Sequence, residues 1–218
     1  MKTNNSHRRE QKTQGVVTTA PLTATMLAGW PNVSTAAWGK MLQRGRQYLA
    51  ILPVSAQVIH WRDAVRTMMA NGVERILLIG NGRPLHVAPA AVGIIVTDHI
   101  NVSGVNPLMG PNAGQFGPRF PDMSHAYDAE LSQTIKRVAE QNALQLPERL
   151  LLAPKDINVR TELEETIISQ NQIGALSRDV FAGAIVAKHG NRLCAGVVFF
   201  ETAPQTSVEI LIRGAGLL

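Results

Sequence analysis

The sequence predicts one α/β domain: a mostly parallel sheet covered by helices. Three observations predict it. From about Gln47 onward, short apolar runs alternate with stretches of helical periodicity, the pattern that a mostly parallel sheet under helices requires. The runs are β-branched or aromatic and bounded by turn residues, as strands are. At 218 residues and 45% apolar content, the chain also holds enough material for one substantial core and does not require a second.

In chain order, the first strand candidate is Gln47 to Leu52 (QYLAIL). Trp61 to Asn71 follows as a helix, with Val65, Met68 and Met69 on one face and Gly72 placed as its stop. Arg75 to Ile79 (RILLI) completes a strand–helix–strand unit, and Gly93 to Thr97 (GIIVT) is the next strand. Asp128 to Asn142 sets Leu131, Ile135, Val138 and Asn142 on one stripe and Gln133, Lys136, Arg137 and Glu140 elsewhere, an amphipathic helix ending ahead of Pro147. Thr161 and Glu164 have capping-box spacing and predict a short helix to about Gln172. Asp179 to His189 reads as a helix closed by Gly190, leading into the strand Arg192 to Phe200 (RLCAGVVFF). No repeat or low-complexity tract interrupts the series, so the expected organisation is a flexible basic tail over 1–15 and one domain over 16–218.

The formal charge is +5, but Lys2, Arg8, Arg9 and Lys12 against Glu10 place +3 of it in the tail. The body is nearly balanced, and the tail has no interleaved aromatics to stack on bases, so nucleic acid is not an expected partner. The opening MKTNNSHRREQKTQG has no apolar stretch of signal-peptide type and no later run approaches a membrane span. The single cysteine, Cys194, sits in an apolar strand candidate, as a buried thiol would in a reducing compartment. A cytoplasmic location is therefore the expectation. His60, His86, His99, His125 and His189 match no metal-ligand spacing, and Gly80-x-Gly82 lacks the third glycine of a dinucleotide fingerprint. Neither a metal nor a cofactor is expected.

The segment from Asp98 to Asp128 is the most specific in the chain. It runs Asp98-His99-Ile100-Asn101, then Asn106-Pro107-Leu108-Met109-Gly110-Pro111-Asn112, then Phe116-Gly117-Pro118-Arg119-Phe120-Pro121-Asp122-Met123-Ser124-His125-Ala126-Tyr127-Asp128. In order and spacing it resembles the trimeric purine nucleoside phosphorylases, whose sequence runs DHIN, NPL-GPN and F-G-RFP-MS-AYD. Weaker similarity covers Val65-Arg66, Gly72-Val73 and Ala187-Lys188-His189, so the resemblance spans about Trp61 to Phe200. It implies a nucleoside phosphorylase-like fold, a three-layer α/β/α architecture with a mixed central sheet. It also implies a homotrimer or a mixed oligomer with a catalytic homologue, in which Phe116 matches the phenylalanine that reaches a neighbouring subunit's ribose site.

Phosphorolysis needs a phosphate cradle of N–H groups and cations, and a base pocket that stabilises charge developing on the leaving purine. The family's glycine–serine–glycine loop and its Gly-Arg-x-His stretch have no counterpart at Val16 to Trp30 or at Pro53-Val54-Ser55-Ala56. Leu176-Ser177-Arg178 aligns with the family's Met-Ser-Thr. The resemblance makes Ser177 a phosphate-binding candidate with Arg178 as a compensating cation, while a turn or helix-cap role is an equal alternative for Ser177. Arg160 stands where the family has its base-binding glutamate, a change from acceptor to permanent cation. Thr202 stands at the family's asparagine, preceded by Glu201, which either restores a carboxylate to the pocket or is a solvated strand-end residue. Gly80-Asn81-Gly82-Arg83-Pro84 replaces the Asn-Ala-Ala-Gly-Gly turn, one residue short, leaving Asn81 and Gly82 as pocket candidates beside Leu176.

The expectation is a diverged member of that family with weak or no ordinary phosphorolysis, a noncatalytic or regulatory subunit binding a nucleoside or related small molecule. The alternative is an active enzyme in which Arg178 rebuilds the anion site and Glu201 contacts the base, so that the N-glycosidic bond of a purine nucleoside is cleaved with phosphate.

Overall fold

The computed structural model describes residues 12–111 and 114–216. Lys2, Arg8, Arg9 and Glu10 of the expected tail, and Asn112 of the signature, lie outside them. Strand β1 (Gln14–Thr18) starts two residues ahead of the expected domain boundary and pairs in parallel with both β4 (Gln47–Ile51) and β5 (Arg75–Pro84). Helix α2 (Val58–Ala70) carries the chain from β4 across β1 to β5, so the expected strand–helix–strand unit is a crossover that skips one strand. β6 (Gly93–Asn101) and β9 (Leu193–Phe200) are the other two expected strands, and β6 runs four residues past its predicted end.

Four further strands complete the sheet: β2 (Asn32–Ala36) and β3 (Gly39–Arg44) as a hairpin, β7 (Glu148–Ala153) and β8 (Ile173–Leu176). The order is β2-β3-β4-β1-β5-β8-β7-β6-β9, and β9 returns to pair in parallel with β5. The ring β5-β8-β7-β6-β9 thereby closes, while β2 is left as an edge.

Alternation along β5 makes the three layers. Ile76 and Leu78 point into a core shared with α2 and α5 (Phe181–His189), through Trp61, Val65, Met68, Phe181 and Ala184. Leu77 and Ile79 point to the other face, against Leu131, Ile135 and Val138 of α3 (Ala129–Gln141) and Val208, Leu211 and Ile212 of α6 (Gln205–Gly214). Each such side chain contributes about 1.5–3 kcal/mol when it leaves water. α5 is buried on nearly every side, which explains its lack of amphipathic pattern.

Helix ends follow local chemistry. The Asp128 carboxylate accepts the Leu131 N–H at 2.8 Å and starts α3. Thr161 Oγ1 accepts the Glu164 N–H at 3.2 Å while Glu164 Oε2 accepts the Thr161 N–H at 2.7 Å, closing the predicted capping box at the start of α4 (Glu162–Gln170). α4 stops at Gln170 because β8 begins three residues later. A single turn, α1 (Ala24–Leu27), follows β1. Among the described residues, no helix is long and apolar enough to cross a membrane.

The end of the Asp98–Asp128 signature docks onto β9. The Asp128 N–H donates to Cys194 O at 2.7 Å, Cys194 Sγ donates to Ala126 O at 3.1 Å, and Tyr127 OH meets His99 Nδ1 at 3.2 Å. Gly196 leaves the space the Tyr127 ring occupies, since a Cβ there would lie 2.7 Å from Tyr127 Cε1. Burial pushes the Cys194 thiol up to about 12, so it stays protonated and packs as a small apolar group.

Candidate functional site

β1, β4, β5 and β9 are mutually parallel and end at the same side of the sheet, the place where α/β sheets leave a crevice. β8, antiparallel to β5, delivers its C-terminal end to the same point, with Leu176 opposite Arg83. The loops leaving these strands enclose a cleft of about 650 Å³, in the range of small-molecule sites. Its walls are the loop from Val54 to the start of α2, the β5 extension Asn81–Gly82–Arg83, Pro21 after β1, Ile157 after β7, Arg178 and Asp179 after β8, and Glu201 after β9.

Asp179 is the centre of the polar network. Its Oδ2 accepts from Thr19 Oγ1 at 2.8 Å and from the Asn81 N–H at 2.9 Å, and Asn81 Nδ2 donates to Thr19 Oγ1 at 3.2 Å. Burial raises the Asp179 pKa, and the Asn81 and Thr19 hydrogen bonds oppose that rise without cancelling it. Gly80 permits the approach: a Cβ there would sit 2.5 Å from Asp179 Cβ. Gly82 does the same for the exit of β8, where a Cβ would meet Leu176 O at 2.6 Å.

The predicted residues divide into two sets. Asn81, Gly82, Arg178 and Glu201 come together on the cleft wall. Arg178 is exposed and, among the described residues, has no hydrogen bond or ion pair, while Arg83 Nη1 donates to Ile157 O at 3.1 Å. Ser177 lies behind the wall, fully buried, with Oγ donating to Asn81 O at 2.5 Å and accepting the Asp179 N–H at 3.1 Å. Its one proton is therefore already used, in the turn geometry weighed for it as an alternative.

The remaining four stand apart from the cleft. Leu176 is buried with Leu152, Ile168 and Ile173. Thr202 is exposed one residue beyond the wall. Arg160 is ion-paired to Glu165 at 3.1 Å on the surface of α4. Phe116 lies half-buried beneath the Arg66 guanidinium, 4.9 Å from its ring centre.

Sequence reasoning missed Thr19, Asp179 and the start of α2. Asp179 was absorbed into the predicted helix 179–189, yet α5 starts at Phe181 and leaves the carboxylate free to turn toward β1 and β5. The usable signal was the pair Gly80 and Asp179: a glycine inside an apolar strand marks a close approach. Gln57 and Val58 bring the positive end of α2 to the cleft, with the Gln57 N–H held by His60 Nδ1 at 2.9 Å. The arrangement suits a polar ligand: cations at Arg83 and Arg178 line the same cleft as carboxylates at Asp179 and Glu201.

Residues 59–200 match the model of the phosphorylase superfamily. The chain belongs to that superfamily. Within the phosphorylase superfamily its relatives are purine nucleoside phosphorylases, as the Asp98–Asp128 segment implied. It is 33% identical to purine nucleoside phosphorylase 1 of Bacillus subtilis (strain 168) over 140 residues, 64% of this chain and 52% of that protein. Against purine nucleoside phosphorylase 1 of Geobacillus stearothermophilus it is 34% identical over 135 residues, 61% of this chain and 49% of that protein. The chain thus spans about half the length of these curated relatives. A schistosoma purine nucleoside phosphorylase in complex with hypoxanthine shares the phosphorylase fold, with a TM-score of 0.75 at 16% identity, covering 94% of this chain and 89% of that one. A purine nucleoside phosphorylase in complex with ribose-1-phosphate gives a TM-score of 0.72 at 16% identity, covering 94% and 87%. The superfamily match contains Asn81 and Asp179 but neither Thr19, the 53–57 loop nor Glu201, so part of the cleft wall lies outside it.

Proposed function

We propose that this phosphorylase-superfamily chain binds a nucleoside or closely related small molecule in the cleft and performs little or no ordinary phosphorolysis, acting as a noncatalytic or regulatory subunit. The observation that carries the reading is Asp179. Its carboxylate occupies the Thr19 hydroxyl and the Asn81 N–H beside the Ser177 turn, donors of the kind an incoming phosphate needs. While ionised, it also repels a phosphate: at about 4 Å and an effective dielectric of about 20, each pair of like charges costs roughly 4 kcal/mol. Ser177, a candidate phosphate ligand, has its proton committed to Asn81 O.

On the base side, Arg160 is turned to Glu165, and Glu201 is the carboxylate that remains on the wall to accept a ligand N–H. A trimer, of this chain alone or with a catalytic homologue, and a cytoplasmic location accompany this reading. One observation favours the enzyme alternative: Arg178, unpaired among the described residues, lines the cleft together with the start of α2, two sources of positive charge for an anion.

The deciding measurement is phosphate-dependent cleavage of inosine and guanosine, paired with calorimetry of nucleosides, bases and phosphate taken separately. The expected outcome is heat from a nucleoside or base, weakened about tenfold in Glu201→Gln, without cleavage. Robust turnover lost in Arg178→Gln would overturn the noncatalytic reading, and absence of heat from every nucleoside and base would overturn the binding reading.

A further inference from the structure

A second cavity, of about 320 Å³, lies on the flank of α2 and shares no lining residue with the cleft. Arg62 and Arg66 line it from α2, four residues apart and so on one helical face. Arg119 joins them from the signature segment, and His189 from the end of α5. At about 1.5 Å per residue, Arg66 is roughly 12 Å along α2 from Val58, where the helix meets the cleft.

The described residues balance the charge here only in part. Asp63 takes Arg62 Nε at 2.8 Å, and among the described residues no carboxylate pairs with Arg66 or Arg119. Arg66 rests on the Phe116 ring, and its Nε is buried without a hydrogen-bond partner. Burial and the neighbouring Arg62 charge both lower its pKa, and Asp63 opposes them more weakly. His189 is 4% exposed, its Nε2 faces Pro118 O at 3.0 Å, and its buried Nδ1 has no partner among the described residues. Buried polar atoms left unpaired, beside partly buried like charges, are costly unless a ligand completes them.

We propose that this cavity is a second ligand site, taking inorganic phosphate or the phosphate of a small monoester through Arg62, Arg66, Arg119 and His189. Three guanidinium groups drawn from two segments exceed what one carboxylate's two oxygens can satisfy, whereas a tetrahedral phosphate offers three or four. With Nε2 facing Pro118 O, Nδ1 is the His189 ring atom left to meet the ligand. The volume, at the low end of ligand pockets, suits a phosphate or a sugar phosphate. The proposal does not rest on the reading of the cleft.

Titration calorimetry of the whole chain with inorganic phosphate, and separately with ribose 5-phosphate, tests it. The expected result is saturable binding of at least one probe that weakens about tenfold or more in Arg119→Gln and in Arg66→Gln and persists in Arg178→Gln. A tighter constant for the sugar phosphate identifies a monoester, and a tighter one for phosphate identifies the free ion. Arg119 is exposed, so Arg119→Gln is the variant least coupled to folding, and an unchanged thermal melt verifies that. The proposal is overturned by absence of saturable binding, by affinity unchanged in both arginine variants, or by loss in Arg178→Gln instead. It is also overturned if Arg119→Gln dissociates an oligomer while leaving phosphate affinity intact, because the cavity would then hold a carboxylate of a second copy.

Discussion

Asp179 shows how much a single side chain can decide. Its carboxylate is held by one hydroxyl and one backbone N–H in a poorly solvated position, and burial raises its pKa above the ordinary 3.8. A carboxyl group whose pKa is higher folded than unfolded contributes stability that is complete below the unfolded pKa and lost as pH rises through the folded one. Asp179→Asn preserves an acceptor for Thr19 and Asn81 while removing the charge. Thermal melts of both proteins between about pH 4 and pH 7 should therefore show the wild type losing stability relative to Asp179→Asn as pH rises. A constant difference across that range would mean that the carboxylate carries no burial penalty. Asp179 was also invisible to periodicity, because an aspartate immediately ahead of an apolar run reads equally well as a helix start.

Elements here form where local chemistry and burial agree. α3 and α4 start at the residues that their capping side chains indicate, Asp128 and Thr161, because a side-chain oxygen can satisfy an orphan N–H without help from the rest of the fold. Thr161→Ala removes the bond to the Glu164 N–H, and urea unfolding should show a loss of about 1 kcal/mol with an unchanged slope. The strands that sequence missed fail for opposite reasons. β8 is four residues long, β2 is almost wholly exposed, and β7 begins with Glu148 and Arg149, so none offers a long alternating or continuous apolar run. β1 has only two strongly apolar residues, Val16 and Val17, and is stabilised by parallel neighbours on both sides.

For the whole molecule, the return of β9 to β5 matters most. It gives β5 partners on both flanks, encloses a ring of five strands, and leaves the exposed β2 as an edge. Amide hydrogen exchange should therefore be slowest at Leu77, Leu78 and Ile79 of β5 and at Val197 of β9, and fastest among the strands in β2. Equal protection of β2 and β5 would show that the hairpin and the ring unfold as one unit. The same closure gathers the ends of β1, β4, β5, β7, β8 and β9 around the cleft, so the site depends on six chain segments.

Local information was enough for the α/β class, two capped helices, the strongest strands and the ancestry carried by Asp98–Asp128, since each depends on neighbours in the chain or on an unbroken motif. The family ligand positions were legible, as substitutions at Arg160 and Thr202 and as a matching serine at Ser177. Their placement was not. Whether Ser177 faces a ligand or Asn81, and whether Arg160 meets the cleft or Glu165, depends on register and side-chain direction at crossings between distant strands. Three-dimensional packing set Asp179 against Thr19 and Asn81 and drew Arg62, Arg66 and Arg119 around one cavity. Hydrogen bonds and charges act over a few ångströms of space, and no spacing along the chain encodes that distance.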